Sequence, residues 1–287
     1  MRWWGAITKP DAGAPVDGAA GERPITMAHW TAFPHDAAAY RYNAAALKKV
    51  WARLHAGDAE PLPATASVVA AWRMFHAGEF ERAVEAGLQA ARDGAPAGLT
   101  VANKAQALYA TYLESSERSK QALFLEVAER AEARIAQDPH DANAWYSVAY
   151  ALGRYSQSIS VAKALGLGLS GKVKKALETT IRLSPGHADA HVALGSFHAE
   201  VIDKVGALLG LTQGASRDAG LAFYKAALKL NPTSAIAMIE YANGMVMLEG
   251  ERRLPEATRL YQAAAATEPL DAAERLDVEM AKTALKD

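Results

Sequence analysis

Apolar residues along most of this chain recur every three to four positions with charged side chains between them, the spacing of amphipathic helices. Tyr40, Ala44, Leu47, Trp51 and Leu54 form the first such stripe, predicting a helix over 36–56 with Asp36 as its cap and Gly57 as its stop. Val68 to His76 and Phe80 to Arg92 then flank Gly78, Leu99 to Leu113 precedes Ser116 to Gln137, and the periodicity continues to Lys286. Strand-like alternation is absent. Ala, Leu, Glu and Lys fill the periodic segments, so intrinsic propensity agrees with the pattern.

Four prolines punctuate the second half, at Asp138-Pro139, Ser184-Pro185, Asn231-Pro232 and Glu268-Pro269. Proline disfavours helix in the residue before it and fits the first turn of a following one, so each marks a boundary between helical hairpins. The boundaries predict hairpins at about 64–93, 99–137, 142–183, 188–230 and 235–267. A capping helix follows over 271–286, with Leu276 and Met280 on one face and Arg275, Asp277 and Lys282 on the other. Residues 1–28 are rich in Ala, Gly and Pro without periodicity and read as a flexible arm before one helical domain over 29–287.

The hairpins share a signature. Trp145, Val148, Ala149 and Leu152 carry its first half, followed by Val173, Leu177 and Pro185. His191, Leu194, Gly195 and His198 repeat it, followed by Gly220, Tyr224, Ala227 and Pro232. Met238, Tyr241, Ala242 and Met245 begin a third copy, completed by Ala257, Tyr261, Ala264 and Pro269. This resembles the tetratricopeptide pattern, W-x2-L-G-x2-Y, then A-x3-F, then P, over about 34 residues. The resemblance implies an all-α, tetratricopeptide-like right-handed array of helical hairpins, an α-solenoid. The two central hairpins are lengthened by insertions, Ser156 to Lys175 and Val201 to Gly214.

From about residue 99 onward a further likeness appears. The boundary at Asp138-Pro139, the Trp145-Tyr146 pair, the long Lys163 to Leu183 segment and the insertion before Leu221-Ala222-Phe223-Tyr224 resemble the helical-repeat region of the regulator of microtubule dynamics proteins. The T-component lipoproteins of TRAP transporters are similar, less closely. Neither resemblance implies catalytic residues, and no residue here matches a microtubule-binding determinant.

Composition narrows the function classes. Hydrophobic residues make up 51% and charged residues 22%, enough to build a core, and the Ala-rich balance looks bacterial. A formal net charge of −1 supplies no global field for nucleic acid. The absence of cysteine excludes disulfides, thiolate zinc sites and thiol nucleophiles. Met1 to Pro10 has no apolar run of the length a secretory signal needs, and no segment is long enough to span a bilayer, so a cytoplasmic location is expected.

Candidate chemistry is sparse. His187, His191 and His198 share one helical face, a spacing that could hold zinc with a further ligand, but His191 and His198 fall on the repeat's large inter-helix positions. Packing is the favoured reading, and no metal or cofactor is expected. Gly166 to Gly171 lacks the preceding strand and GK[ST] ending of a phosphate loop, and no nucleophile–base triad can be assembled.

The first insertion carries four lysines and no acid, which suits a membrane surface or a partner, against the favoured alternative that the two apolar insertions pack on each other. If Trp145, Val148, Ala149 and Leu152 are the buried seam, then Asn143, Tyr146 and Tyr150 project to another side of the same helix. The equivalent stripes are Asp189, Val192 and Ser196, then Ile236, Ile239 and Asn243. Stacked units line such stripes along a concave binding face, where Asn143→Ala should scarcely affect stability.

The leading expectation is a non-catalytic scaffold for a peptide or protein partner. The alternatives are a carrier of a small apolar or lipid-like ligand between the insertions and metal binding by the three histidines. Titratable groups converging in a cleft would revive an enzyme.

Overall fold

Short polar side chains fix where the helices begin. In the computed structural model, which describes residues 30–286, the side chains of Asn43, Ser116, Asp141, Ser160, Ser216, Ser234 and Asp271 each accept a hydrogen bond from the backbone N–H three residues on. Each starts a helix, by satisfying one of the donors that a helix N-terminus leaves unpaired. At the boundary marked by Pro185 a histidine takes this part: His187 Nδ1 accepts from the Ala190 N–H at 3.1 Å. The arm expected over residues 1–28 lies outside the described residues.

The first helix starts later than the apolar stripe suggests. Asp36 accepts from the Ala38 N–H at 2.9 Å and opens only a short 3-10 turn, Ala38–Tyr40, while α1 runs Ala44–Leu54 from the Asn43 cap. Between them the chain is non-helical, and the Tyr42 hydroxyl reaches the Leu270 carbonyl at 2.6 Å.

Hairpins follow in series. They pair α2 (Ala66–His76) with α3 (Phe80–Arg92), and α4 (Gly98–Tyr112) with α5 (Glu117–Gln137). Next, α6 (Ala142–Gln157), the short α7 (Val161–Gly166) and α8 (Leu169–Leu183) form the first lengthened unit. The second pairs α9 (Ala188–Thr212) with α10 (Arg217–Leu230), and α11 (Ala235–Glu249) then pairs with α12 (Leu254–Ala265) before the last helix, α13 (Ala272–Ala284). The architecture is an all-α helical-repeat solenoid, with thirteen α-helices and no strand among the described residues.

Successive units stack through their first helices, α2 on α4, α4 on α6, α9 on α11 and α11 on α13. The stack then returns to its start. Ala272 and Leu276 of α13 are buried in the same core as Leu47, Trp51, Trp72 and Phe75 of the first units. Polar contacts fasten the seam: His76 Nδ1 to Asp271 at 2.8 Å, Arg53 to Glu274 at 2.7 Å, and the Tyr112 hydroxyl to Asp277. A backbone bond from the Asp189 N–H to the Gly57 carbonyl at 2.9 Å crosses the ring's interior side. The terminal helix thus buries its apolar face against the first unit and closes the array, and Asp277, expected on its polar outer face, turns instead to the seam and the Tyr112 hydroxyl.

The insertions behave differently from the mutual packing expected of them. Ile159, Ala164 and Val201 pack against the central core, but Val161, Leu165, Leu167, Leu208, Leu209 and Leu211 remain exposed. Gly206 breaks α9 with φ 80° and ψ 160°, a backbone state open to glycine but strained for other residues. Beyond the break the chain folds back, bringing Gly210 against Ile202.

Candidate functional site

The first helices of the units line one cavity inside the ring, of about 320 Å³. Six residues of the expected stripe reach it: Asn143, Tyr146, Tyr150, Asp189, Val192 and Ser196. Ile236 lines it too, whereas Ile239 and Asn243 are not brought there. Ile239 is buried against Ala264, Val278 and Ala281, and Asn243 accepts a hydrogen bond from the Tyr261 hydroxyl at 2.7 Å. The cavity side of α11 runs through Ile236 and Glu240, and Ile239 lies about 100° round the helix from Glu240, facing the outer helices.

Most of the floor's chemistry comes from residues outside that stripe. Asp58, 3% exposed in the loop after α1, is gripped by His55 Nδ1 at 2.9 Å and by the Lys104 ammonium. Burial resists its ionisation, but His55 and Lys104 hold it well below the usual carboxylate range. Lys104 is likewise desolvated, yet Asp58 and Asp189 keep it more firmly protonated than an ordinary lysine. On the opposite wall Arg154 lies over the Tyr150 ring at 5.3 Å and 3.7 Å from Glu240, whose other oxygen accepts from Ser196 at 3.0 Å.

Carboxylates outnumber cations here. Asp58, Asp189, Glu200, Glu240, Asp271, Glu274 and Asp277 line the cavity against Lys104, Arg154 and Lys204. Asp189 is the one to note. Its carboxylate rests over Gly57, where a Cβ would meet it at 2.4 Å, and makes no hydrogen bond or ion pair among the described residues. Burial, opposed by Lys104 and reinforced by Asp58, raises its pKa to about 6. Asp277 is raised to about 8 by burial and by its neighbour Asp271.

The three histidines of the candidate metal set each have a structural task. His187 Nδ1 accepts the cap bond, which places the proton on Nε2, and Nε2 donates to Asn143 Oδ1 at 2.9 Å. His191 bonds the His187 carbonyl at 3.0 Å, and His198 Nδ1 accepts from the Ser216 N–H at 3.1 Å while its ring stacks on Phe223. Among the described residues no three His, Asp or Glu side chains converge as a metal site.

Asn143 needs correction as a freely substitutable surface residue. It is 8% exposed, accepts from His187 and donates to Glu60, whose pKa burial and Asp58 push up to about 8. Removing it leaves both partners unpaired. Asn143→Ala is therefore expected to cost about 1–3 kcal/mol in a urea melt rather than being silent.

Glu60 and Asp277 also set a pH dependence. A carboxyl whose folded pKa lies above its unfolded value keeps a proton that the unfolded chain has lost, so it weakens folding as pH climbs through that interval. Burial lowers His187 to about 4, so that group alters stability only on the acid side of the ordinary imidazole value. Between about pH 7 and pH 9 each raised carboxyl should cost about 1.4 kcal/mol. Thermal melts should show stability falling over this window, and Asp277→Asn should remove about half of the fall.

Sequence reading missed Asp58, Lys104, Arg154, Glu240 and Asp277. The signal for some of them was present: extending each stripe by one turn, from Tyr150 to Arg154, from Ser196 to Glu200 and from Ile236 to Glu240, reaches the polar wall.

No protein-family model matches the chain, and no curated protein matches it. Among solved structures, the crystal structure of a thermophilic TPR protein from Thermus thermophilus is similar at a TM-score of 0.55, covering 77% of this chain and 98% of that chain. The fold is a TPR-like helical repeat. Sequence identity is 19%, so the likeness concerns the path of the TPR-like backbone and carries no residue of the cavity across. No helix among the described residues is long and apolar enough to cross a membrane.

Proposed function

We propose that this TPR-like protein is a binding protein that takes a compact ligand, with an apolar body and a positively charged end, into the cavity inside its ring. The observation that carries this reading is the seam between α13 and the first units. An extended peptide needs a groove open along its length, whereas the seam interrupts the concave face and leaves a cavity that opens at a mouth. The volume of about 320 Å³ falls within the range of small-molecule sites, roughly 300–1,000 Å³. Val161, Leu165, Leu169, Val173, Val201 and Val205 supply apolar wall towards the insertions. At the other end the Asp189 carboxylate, partly buried and without a hydrogen bond or ion pair among the described residues, favours a cation, because a partner of opposite charge would offset its desolvation.

Titratable groups do converge in this cleft, the condition that would revive an enzyme. They are engaged with one another, however, as His55 with Asp58 and His76 with Asp271, and the buried Nε2 atoms of both histidines have no hydrogen-bond partner, a nucleophile included, among the described residues. Binding without catalysis is the simpler reading. The TPR-like fold favours a second one, in which the charged end of a partner's peptide segment enters the mouth. The resemblances to regulator of microtubule dynamics proteins and T-components contribute no residue to either.

Calorimetric titration of the full chain with octylamine and octanoate tests the proposal. Octylamine should bind saturably at one site, octanoate should not, and Asp189→Asn should weaken the amine by about tenfold or more. Equal binding of the two probes, no saturable amine binding, or indifference to Asp189→Asn would count against it.

A further inference from the structure

Exposed leucines and valines are concentrated at one place on this molecule. Ten large hydrophobic side chains stand exposed among the described residues, and six of them are Val161, Leu165 and Leu167 of the first insertion and Leu208, Leu209 and Leu211 of the second. Leu208 is 81% exposed, Leu209 60% and Leu211 64%. Scattered single leucines are ordinary on a surface, but a cluster of this kind marks an interaction site.

The two insertions share one end of the ring. Gly214, closing the second, lies against the Lys174 side chain near the end of the first, where a Cβ would meet Lys174 Cε at 3.0 Å. Residues of both also line the cavity, Val161 and Leu165 from one and Val201 and Val205 from the other. The exposed leucines therefore flank the mouth. The glycine break at Gly206 turns the end of α9 back on itself and holds Leu208, Leu209 and Leu211 outward at a tip.

Charge decides between occupants. Exposed Lys163, Lys172 and Lys175 lie on the first insertion, and residues 158–175 contain no acid although the whole chain has a net charge of −1, while the second insertion is charge-balanced, with exposed Asp203 beside Lys204, which is 3.5 Å from Glu200. A second copy of the same face would oppose lysine to lysine, and a basic first insertion beside apolar tips is complementary to an anionic lipid surface. We infer that the paired insertion tips dock this protein on anionic membranes, seating the leucines at the headgroup boundary with the mouth of the cavity towards the bilayer. This holds whatever the cavity binds.

Co-sedimentation of the full chain with phosphatidylcholine vesicles, with and without about one third phosphatidylglycerol, tests it. The anionic vesicles should bind the protein, and added salt should weaken the binding. Leu208→Ser/Leu209→Ser/Leu211→Ser should reduce it by about tenfold or more, with an unchanged melting temperature because all three side chains are exposed. Lys172→Glu/Lys175→Glu should reduce it severalfold. Absence of binding to anionic vesicles, equal binding to neutral ones, or full binding by the triple-serine variant would overturn the inference. So would a leucine-dependent dimer formed without lipid in sedimentation velocity.

Discussion

Truncating Tyr224 to alanine is expected to destabilise the protein by about 3–5 kcal/mol, the range for removing a large aromatic from a packed core. Tyr224 of α10 is 1% exposed and lies between two glycines of the first helices beside it. A Cβ at Gly195 would meet its ring at 2.9 Å and one at Gly244 at 2.4 Å, so the missing side chains leave the slot that the ring fills. It also stacks on Tyr241 with centroids 5.4 Å apart, and its hydroxyl donates to Ser196 Oγ at 3.0 Å. Neighbouring backbones are held by helix packing and cannot collapse into the space without distorting three units. Urea denaturation should show the loss as a lowered midpoint with an unchanged slope, and Tyr224→Phe should cost only about 1 kcal/mol for the hydroxyl. A thermally silent truncation would mean that the repeat register is wrong.

Asp271→Ala is expected to be comparably severe, at about 3–5 kcal/mol, the range for removing one partner of a buried pair. One carboxylate joins two tasks: Oδ2 accepts from His76 Nδ1 across the seam, and Oδ1 caps α13 through the Glu274 N–H at 2.8 Å. Burial opposes its charge, but the His76 hydrogen bond lowers its pKa overall, so the pair is retained at neutral pH. Asp271→Asn keeps the cap acceptor, and its amide can donate to His76 Nδ1 once the imidazole proton moves to Nε2, so it should cost less than the alanine variant. Hydrogen exchange should show α13 and the α1–α2 region losing protection together in the alanine variant, since they share one core. A loss below about 1 kcal/mol would show that the seam adds little to folding.

The helical-repeat character of the fold was legible in the sequence because its signals are local. Pro139, Pro185, Pro232 and Pro269 mark boundaries that any chain with these residues must respect, and Gly195, Tyr224 and Ala227 occupy signature positions whose sizes match across a unit. The seam was not legible. Its bonds join residues such as His76 and Asp271, 195 apart in sequence, and depend on how much each unit rotates relative to the last. On α6 and α9 the residues of the expected stripe line the cavity, but on α11 the wall runs through Ile236 and Glu240, about 100° round the helix from Ile239. Asp58 could not have been found by periodicity, since it lies in a loop and is buried only because Lys104 and His55 converge on it.

The closed ring is the feature on which the cavity depends, and a distance measurement across its seam tests it most directly. The chain has no cysteine, so Lys49→Cys in α1 and Thr283→Cys in α13, both exposed, can be spin-labelled without other changes. Electron–electron dipolar spectroscopy of the doubly labelled full chain should give one narrow distance distribution, which broadens when Asp271→Ala is added. A broad distribution extending to the long distances of an open solenoid, in the chain that retains Asp271, would contradict closure and with it the enclosed binding site.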